Sequence, residues 1–304
     1  MGCRSNIESL PDDCVCEILS HASPLEACRF SVVCPRLGSC ANSDNLWRRF
    51  LPSDYEEIVS RAVNPFALNF SSYKQLFHAL CHPLLIDQGN KSFKLEKCWG
   101  KKSYILSARE LSIARSSDPL TWSWKPIPES RFAEAVELKR VCWLEIEGKI
   151  RTASVTKNTV YGAYLIMNVS DRAYGLDYAA SEVSVTVGKK VERGMAYLGH
   201  KDEKKRKMER LFYGNRTEML RRNTAFEEEG IGVGVPRNRE DGWMEIEVGE
   251  FMSGEGDEEV NISVREVGYQ FKGGLILQGI EIRPKPSHHT AAKSSSSFNT
   301  SHFQ

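Results

Sequence analysis

The second half of the chain contains no cysteine, and this uneven distribution limits what the thiols can do. The sequence has nine cysteines, an odd number, and six of them lie among the first forty residues. We therefore expect no disulfide framework but reduced thiols that act as small buried hydrophobes, as in a cytoplasmic or nuclear protein. Cys14-x-Cys16 lacks zinc-ligand spacing, and His78 and His82 have no third ligand near them in sequence, so no metal site is predicted.

Long apolar runs, a charge excess and catalytic motifs are also missing. No segment approaches the roughly 20 apolar residues that cross a bilayer, and the N-terminus lacks a secretory signal. The 41 basic and 40 acidic residues nearly cancel, so bulk charge indicates neither nucleic acid nor a membrane as partner. GxxxxGK, GxGxxG, HExxH and GxSxG are all absent. We expect no cofactor and no catalytic activity of the chain's own.

Residues 5–51 predict a small helical domain of three short helices. Proline at the first position and two aspartates after it favour a helix over Pro11–Ala22. Ser23-Pro24-Leu25-Glu26 is a capping box that starts a second helix, which Pro35 and Gly38 interrupt or kink. Ser43-Asp44 caps the third helix.

This helical segment carries more apolar surface than its size can bury. A unit of about 45 residues lies below the size at which one core usually stabilises itself. Part of its surface therefore meets the next domain or another protein.

The stretch LPDDCVCEILSHASPLEACRFSVVCPRL, followed by SDNLWRRFL, resembles the F-box. That resemblance implies docking onto the Skp-family adaptor of an SCF ubiquitin ligase and, through the adaptor, onto a cullin. Leu37 stands where many F-boxes have tryptophan. The positions that match, and that the resemblance assigns to the adaptor interface, are Leu10, Pro11, Ile18, Leu19, Pro24, Val32, Val33, Leu46 and Trp47.

Residues 52–90 predict a helical linker. Tyr55, Ile58 and Ala62 recur at helical spacing, and Ser71 or Ser72 can cap a second helix that ends before Pro83. We expect these helices to hold the F-box away from the C-terminal domain.

From residue 91 to residue 284 the pattern becomes that of strands. Apolar and polar residues alternate in Val183–Val187, Met244–Val248 and Val260–Val264, which predicts half-buried antiparallel strands. Val141–Ile150 and Thr159–Val169 are denser apolar runs that suit strands covered on both faces, with a turn at Glu147-Gly148-Lys149. The prediction is an α+β chain whose C-terminal domain is an antiparallel, jelly-roll-like β-sandwich.

Three further segments are predicted to lie outside regular structure. Residues 201–222 form a basic, solvated insertion, and Gly230–Gly234 is predicted to be a loop. Residues 285–304 are poor in apolar side chains and predict a disordered tail.

Several motifs of the β domain, taken together, resemble the phloem protein 2 family of plant lectin-type modules. They are SARELSI at 107–113, WSW at 122–124, VCWLEIEGKI at 141–150, DGWMEIE at 241–247 and GGL at 273–275. Lectins of this family bind N-acetylglucosamine oligomers. The resemblance assigns sugar contacts to Trp122, Glu259 and Glu266, whereas Arg115 stands where the lectins have a first tryptophan. We expect Trp124, Trp143 and Trp243 to be core residues.

Three functions are compatible with this sequence. The leading hypothesis is a non-catalytic substrate receptor, whose F-box docks the adaptor and whose β domain presents a glycoprotein or other target. The alternative is a carbohydrate-binding lectin or protein-binding module that acts without the ligase. A third is a glycosidase that uses Glu259 and Glu266 as its paired carboxylates.

Overall fold

A computed structural model of the protein describes residues 10–64, 70–199 and 233–286. All α-helices of this part precede the strands. They are α1 Asp12–Ser20, α2 Pro24–Phe30, α3 Pro35–Ala41, α4 Asp44–Phe50, α5 Tyr55–Ser60 and α6 Tyr73–Leu80. None of these helices is long and apolar enough to cross a membrane.

The strands fill the rest of the described chain. They are β1 Leu84–Ile86, β2 Lys91–Leu95, β3 Lys102–Ser107, β4 Ser112–Ile113, β5 Trp122–Lys125, β6 Ala135–Leu138, β7 Leu144–Arg151, β8 Thr159–Tyr174, β9 Ser181–Val187, β10 Lys190–Ala196, β11 Val233–Gly234, β12 Arg237–Asn238, β13 Met244–Ser253, β14 Glu259–Glu266 and β15 Gly273–Pro284. The predicted α+β class is confirmed.

The N-terminal helical region has four helices rather than the predicted three. Pro35 does not kink the second helix but begins α3, because residues 31–33 form a turn and the Cys34 thiol accepts a hydrogen bond from the Leu37 amide at 3.5 Å. Proline suits this first position, where its missing N–H leaves nothing unpaired. The caps at Ser23 and Ser43 are confirmed, since each side chain accepts from the backbone three residues on.

Two sheets face each other across one hydrophobic core. The larger sheet has the order β1-β2-β3-β15-β8-β13-β12, and β6 also pairs with β15 while β5 pairs with β6. The smaller sheet has the order β11-β10-β9-β14-β7-β4. Strand pairs in both sheets are antiparallel, except that β11 runs parallel to β10. The antiparallel β-sandwich is therefore confirmed, and Val233–Gly234 is a short strand, not the predicted loop.

The predicted turn at Glu147-Gly148-Lys149 is wrong, because β7 runs straight through it. A Cβ on Gly148 would lie 2.9 Å from Ile280 Cδ1 and 3.0 Å from Leu111 Cδ2. Glycine is thus required by close packing inside the sandwich. Burial alternates along β7, so this strand is covered on one face and not on both, whereas β8 is buried over most of its first half.

The predicted linker helices do not hold the F-box away from the β domain. Ile58 of α5 and Phe77 of α6 belong to the same core cluster as Phe93 of β2. Lys102 of β3, almost fully buried, also forms a 2.7 Å ion pair with Asp54 at the start of α5. Both helices therefore pack directly on the sandwich.

Some predicted features lie outside the described residues. These are the basic insertion 201–222, the glycines before Val233 and the tail beyond residue 286. Lys285 itself still belongs to the sheet, because its amide donates to the Val160 carbonyl at 2.9 Å.

Candidate functional site

Helix α1 divides its apolar residues between the core and the solvent. Val15 and Leu19 are 2% and 3% exposed, whereas Ile18 is 51% exposed. These positions follow helical spacing, so the inner face packs on α3 and α4 while Ile18 points outward. An ion pair with Arg49 of α4 fixes the helix and lowers the pKa of Glu17.

The turn after α2 presents further apolar side chains. Ser23 and Glu26 form the full capping box, with N···O distances of 3.2 and 3.1 Å, and set where α2 begins. The helix ends at Phe30, after which Val32 and Val33 are 85% and 66% exposed. Large apolar side chains this exposed are typical of a surface that a partner covers.

One arginine joins this turn to the start of α1. Arg36 lies at the start of α3, and its guanidinium binds the Asp12 carboxylate at 2.8 Å and the Leu10 carbonyl. The chain before α1 and the turn before α3 are therefore neighbours. We call the exposed residues Pro11, Ile18, Val32 and Val33 together the docking strip; Leu10, which precedes Pro11, is half-buried.

The other predicted adaptor contacts are internal. Leu19, Pro24, Leu46 and Trp47 are buried, with Trp47 at 0% exposure. The Trp47 indole donates to the Ala41 carbonyl at 2.7 Å. The predicted contact residues are thus of two kinds, those exposed to solvent and those that hold the helices together, and the prediction did not separate them.

Trp47 also links the N-terminal helices to α6. The centroid of its ring lies 5.2 Å from the ring centroid of Phe77 and 5.4 Å from that of His78, and both of these residues are on α6. The same burial lowers the pKa of His78. The Tyr73 amide at the start of α6 donates to the Asp44 carboxylate of α4 at 2.9 Å, so α4 and α6 form one packed unit.

The predicted sugar contact Trp122 faces the core. It is 2% exposed, and its indole N–H donates to the Ala114 carbonyl at 3.0 Å. Trp124 donates likewise to Ser116, and the Arg109 guanidinium covers its ring at 3.6 Å. Both tryptophans secure the segment that carries Arg115, an exposed residue in the left-handed conformation with φ of 59°.

A cavity of about 520 Å³ lies beside these tryptophans. Its walls contain two cations, three serines and the two tryptophans. The lining residues are Arg109, Ser116, Ser117, Pro119, Trp122, Ser123, Trp124 and Lys139.

The structure does not bring Glu259 and Glu266 together. They lie at opposite ends of β14, so their backbones are about 24 Å apart at roughly 3.4 Å per residue. Paired glycosidase carboxylates stand only about 5 to 9.5 Å apart. The glycosidase hypothesis therefore has no support in the fold.

Each glutamate is already paired with a lysine. Glu259 is exposed and lies 2.9 Å from Lys149, whose pKa this hydrogen bond raises. Glu259 also lines a separate cavity of about 190 Å³, whose other walls include residues of β2, β3 and β7 as well as Arg61 after α5. Glu266 is buried against Lys272, which is 1% exposed. The three predicted sugar residues are thus not assembled into one site.

Sequence reasoning missed Trp143. It was expected in the core but is 57% exposed, and Tyr269 and Phe271 of the loop between β14 and β15 are exposed as well. The alternation of β7 contained the signal, because Leu144 and Ile146 are its buried positions. Trp143 is out of phase with them and so faces outward.

Comparison with known proteins gives two family matches in the order found here. Residues 7–49 match the F-box domain, and residues 101–284 match phloem protein 2. Among curated proteins of Arabidopsis thaliana, F-box protein PP2-B15 is 47% identical over 91% of this chain and 96% of that protein. F-box protein VBF is 45% identical over 91% and 99%. F-box protein PP2-B13 is 45% identical over 91% and 98%.

Proposed function

The chain belongs to the F-box proteins that carry a phloem protein 2 domain, and we propose that it is a substrate-receptor subunit of an SCF ubiquitin ligase. In this role the docking strip binds the Skp-family adaptor and, through it, a cullin. The β domain recognises the target. Ubiquitin transfer belongs to partner subunits, since F-box and lectin-like domains are binding modules.

The observation that carries this proposal is the exposure of the docking strip. Ile18, Val32 and Val33 hold large apolar side chains in solvent. Covering them removes apolar surface from water at about 25 cal/mol per Å². A partner with a matching apolar groove gains that free energy.

The packing of Trp47 on Phe77 supports the same role. Because α4, α6 and the sandwich share a core, the adaptor side and the target side of the chain are held in a fixed relation. A receptor of this build holds its target at a constant offset from the rest of the ligase.

Sugar recognition by the β domain receives less support from the geometry. Stacking on a sugar needs an open aromatic face, but Trp122 is buried and Arg109 covers Trp124. We therefore propose that the β domain binds a protein target. A glycan array with the purified chain tests the lectin alternative, which strong binding to N-acetylglucosamine oligomers would favour.

Co-expression with a Skp-family adaptor and a cullin tests the assembly. We expect the three chains to elute together in size-exclusion chromatography, and we expect Ile18→Asp combined with Val33→Asp to release this protein from the complex. Val191→Asp is the matched control, because Val191 is 48% exposed on β10, far along the chain from the F-box. Co-elution of the double variant would contradict the proposal.

A further inference from the structure

Two loops at one end of the sandwich expose a cluster of large apolar side chains. Trp143 is 57% exposed, and Val267, Tyr269 and Phe271 are 46%, 95% and 47% exposed. We call these four residues the aromatic end. Tryptophan and tyrosine in this setting are the side chains that most often dominate the binding energy of protein interfaces.

The two loops lie side by side. The ladder between β7 and β14 ends at the pair Leu144–Glu266, with Trp143 directly before it on one chain segment and Val267 directly after it on the other. An isolated bridge then pairs Val141 with Lys272. Trp143 and residues 267–271 both lie between these two pairings, and the two loops are therefore neighbours.

A buried ion pair holds the loops in place. The Lys272 side chain is 1% exposed and binds the Glu266 carboxylate. The same ammonium donates to the Cys142 carbonyl at 2.6 Å and to the Gln270 carbonyl at 3.1 Å. Both loops are therefore ordered before any partner arrives, which reduces the entropy lost on binding.

The charge of these loops indicates the chemistry of the partner. Within residues 139–143 and 266–272 the charged side chains are Lys139, Arg140, Lys272 and Glu266. Lys272 and Glu266 neutralise each other, which leaves Lys139 and Arg140, both exposed. The Arg140 guanidinium lies 3.9 Å from the centroid of the Phe271 ring. An exposed aromatic surface with a basic edge complements an acidic segment that carries an apolar side chain.

Two other occupants fit less well. Sugar hydroxyls need hydrogen-bond partners such as carboxylates, and the one carboxylate of these loops is buried against Lys272. A second copy of the chain, related by a two-fold axis through the patch, would bring Arg140 close to its own copy. Like charges at such a contact oppose association.

We propose that the aromatic end binds a linear acidic segment of the target protein. Trp143 and Tyr269 are its apolar anchors, and Arg140 pairs with Asp or Glu side chains of the segment. This inference rests on the proposed function, because it names the surface with which the receptor holds its target.

Phage display tests this proposal. A library of random 12-residue peptides is selected for binding to the full chain. We expect selected peptides to be rich in Asp and Glu and to contain Leu, Phe or Trp. Synthetic copies should bind at least tenfold more weakly to Trp143→Ala and to Tyr269→Ala, and more weakly as salt is raised. Arg140→Glu should shift the selection toward basic peptides.

Met252→Ala is the matched control. Met252 is also 57% exposed. It pairs with Val160 at the start of β8, whereas the opposite end of this strand, where Tyr174 pairs with Gly273, lies beside the aromatic end. Met252 is therefore at the other end of the strand from the proposed binding surface. This variant should bind peptide like the wild type. All variants should keep the wild-type melting temperature.

Several outcomes would overturn the inference. They are a selection without enriched peptides, enrichment of basic peptides by the wild type, and equal affinity of the Trp143 variant. Binding of N-acetylglucosamine oligomers or self-association that Trp143→Ala abolishes would assign the surface to those partners instead. Adaptor binding measured on the same samples shows whether the receptor role stands when the peptide result fails.

Discussion

The ring centroids of Trp47 and Phe77 lie 5.2 Å apart. This contact joins α4, the last F-box helix, to α6, the helix before the β domain. Both side chains are almost fully buried. The Gly100 backbone closes the same junction, since a Cβ there would lie 3.2 Å from the Phe50 carbonyl oxygen and 3.4 Å from Phe77. The F-box of this chain is therefore part of a larger core and not a module on a tether.

Trp47→Ala should lower the free energy of unfolding by about 3 to 5 kcal/mol, the usual loss for a buried tryptophan. Chemical denaturation followed by circular dichroism measures it. Val33→Ala is the control and should change stability by less than about 0.5 kcal/mol, because Val33 is 66% exposed. Unchanged stability of the Trp47 variant would contradict the shared core. Any loss of adaptor binding in that variant reflects unfolding and says nothing about direct contact.

Gly148→Ala should destabilise the sandwich by about 1 to 3 kcal/mol, because its Cβ would meet Ile280 and Leu111 at 2.9 and 3.0 Å. The comparison is Gly256→Ala, since a Cβ at Gly256 meets nothing within 4 Å. Thermal unfolding of both variants measures the difference. Equal melting temperatures would show that Gly148 does not lie between the sheets.

Asp87 should make stability depend on pH in the acid range. Hydrogen bonds from Arg61 lower its folded-state pKa to about 2, from an ordinary value of 3.8. A carboxyl with a depressed pKa stabilises the fold above the unfolded pKa, and this contribution disappears as pH falls through the folded pKa. We expect the contribution to be no more than about 2 kcal/mol at neutral pH.

Asp87→Asn tests this expectation, and asparagine tolerates the φ of 52° at this position. Urea unfolding should show the variant to be less stable at pH 7, with the deficit shrinking toward pH 2. Arg61→Gln should weaken the same pH dependence, because it removes the hydrogen bonds that lower the Asp87 pKa most, while Lys91 still pairs with this carboxylate at 3.0 Å. A deficit that stays constant with pH would contradict the assignment.

Local signals in the sequence predicted every described α-helix except α3, and they predicted the strands β7, β8, β9, β13 and β14. Ser23, Ser43 and Ser72 cap their helices through contacts within three residues. Such contacts can be predicted from the residues nearby in the sequence. Pro35 was misjudged because proline is compatible with both a helix break and a helix start, and only the turn at residues 31–33 decides between them.

Contacts between distant residues were beyond local reasoning. Gly148 packs on Ile280, more than a hundred positions away in sequence, so nothing nearby distinguishes it from a turn glycine. The same limit applies to tryptophans, since Trp47 and Trp122 are buried while Trp143 is exposed. The F-box pattern marks interface and core positions alike, and burial in the fold is what separates Ile18 from Leu19.

Titration calorimetry of the full chain against a purified Skp-family adaptor tests the receptor role most directly. The wild type should bind with a 1:1 stoichiometry. The variant with Ile18→Asp and Val33→Asp should bind on the order of 100-fold more weakly, which is about 2.7 kcal/mol. Its melting temperature should equal that of the wild type. The control Val191→Asp should bind with wild-type affinity. Absence of wild-type binding, or equal affinity of the double variant, would contradict the assignment of the docking strip to the adaptor.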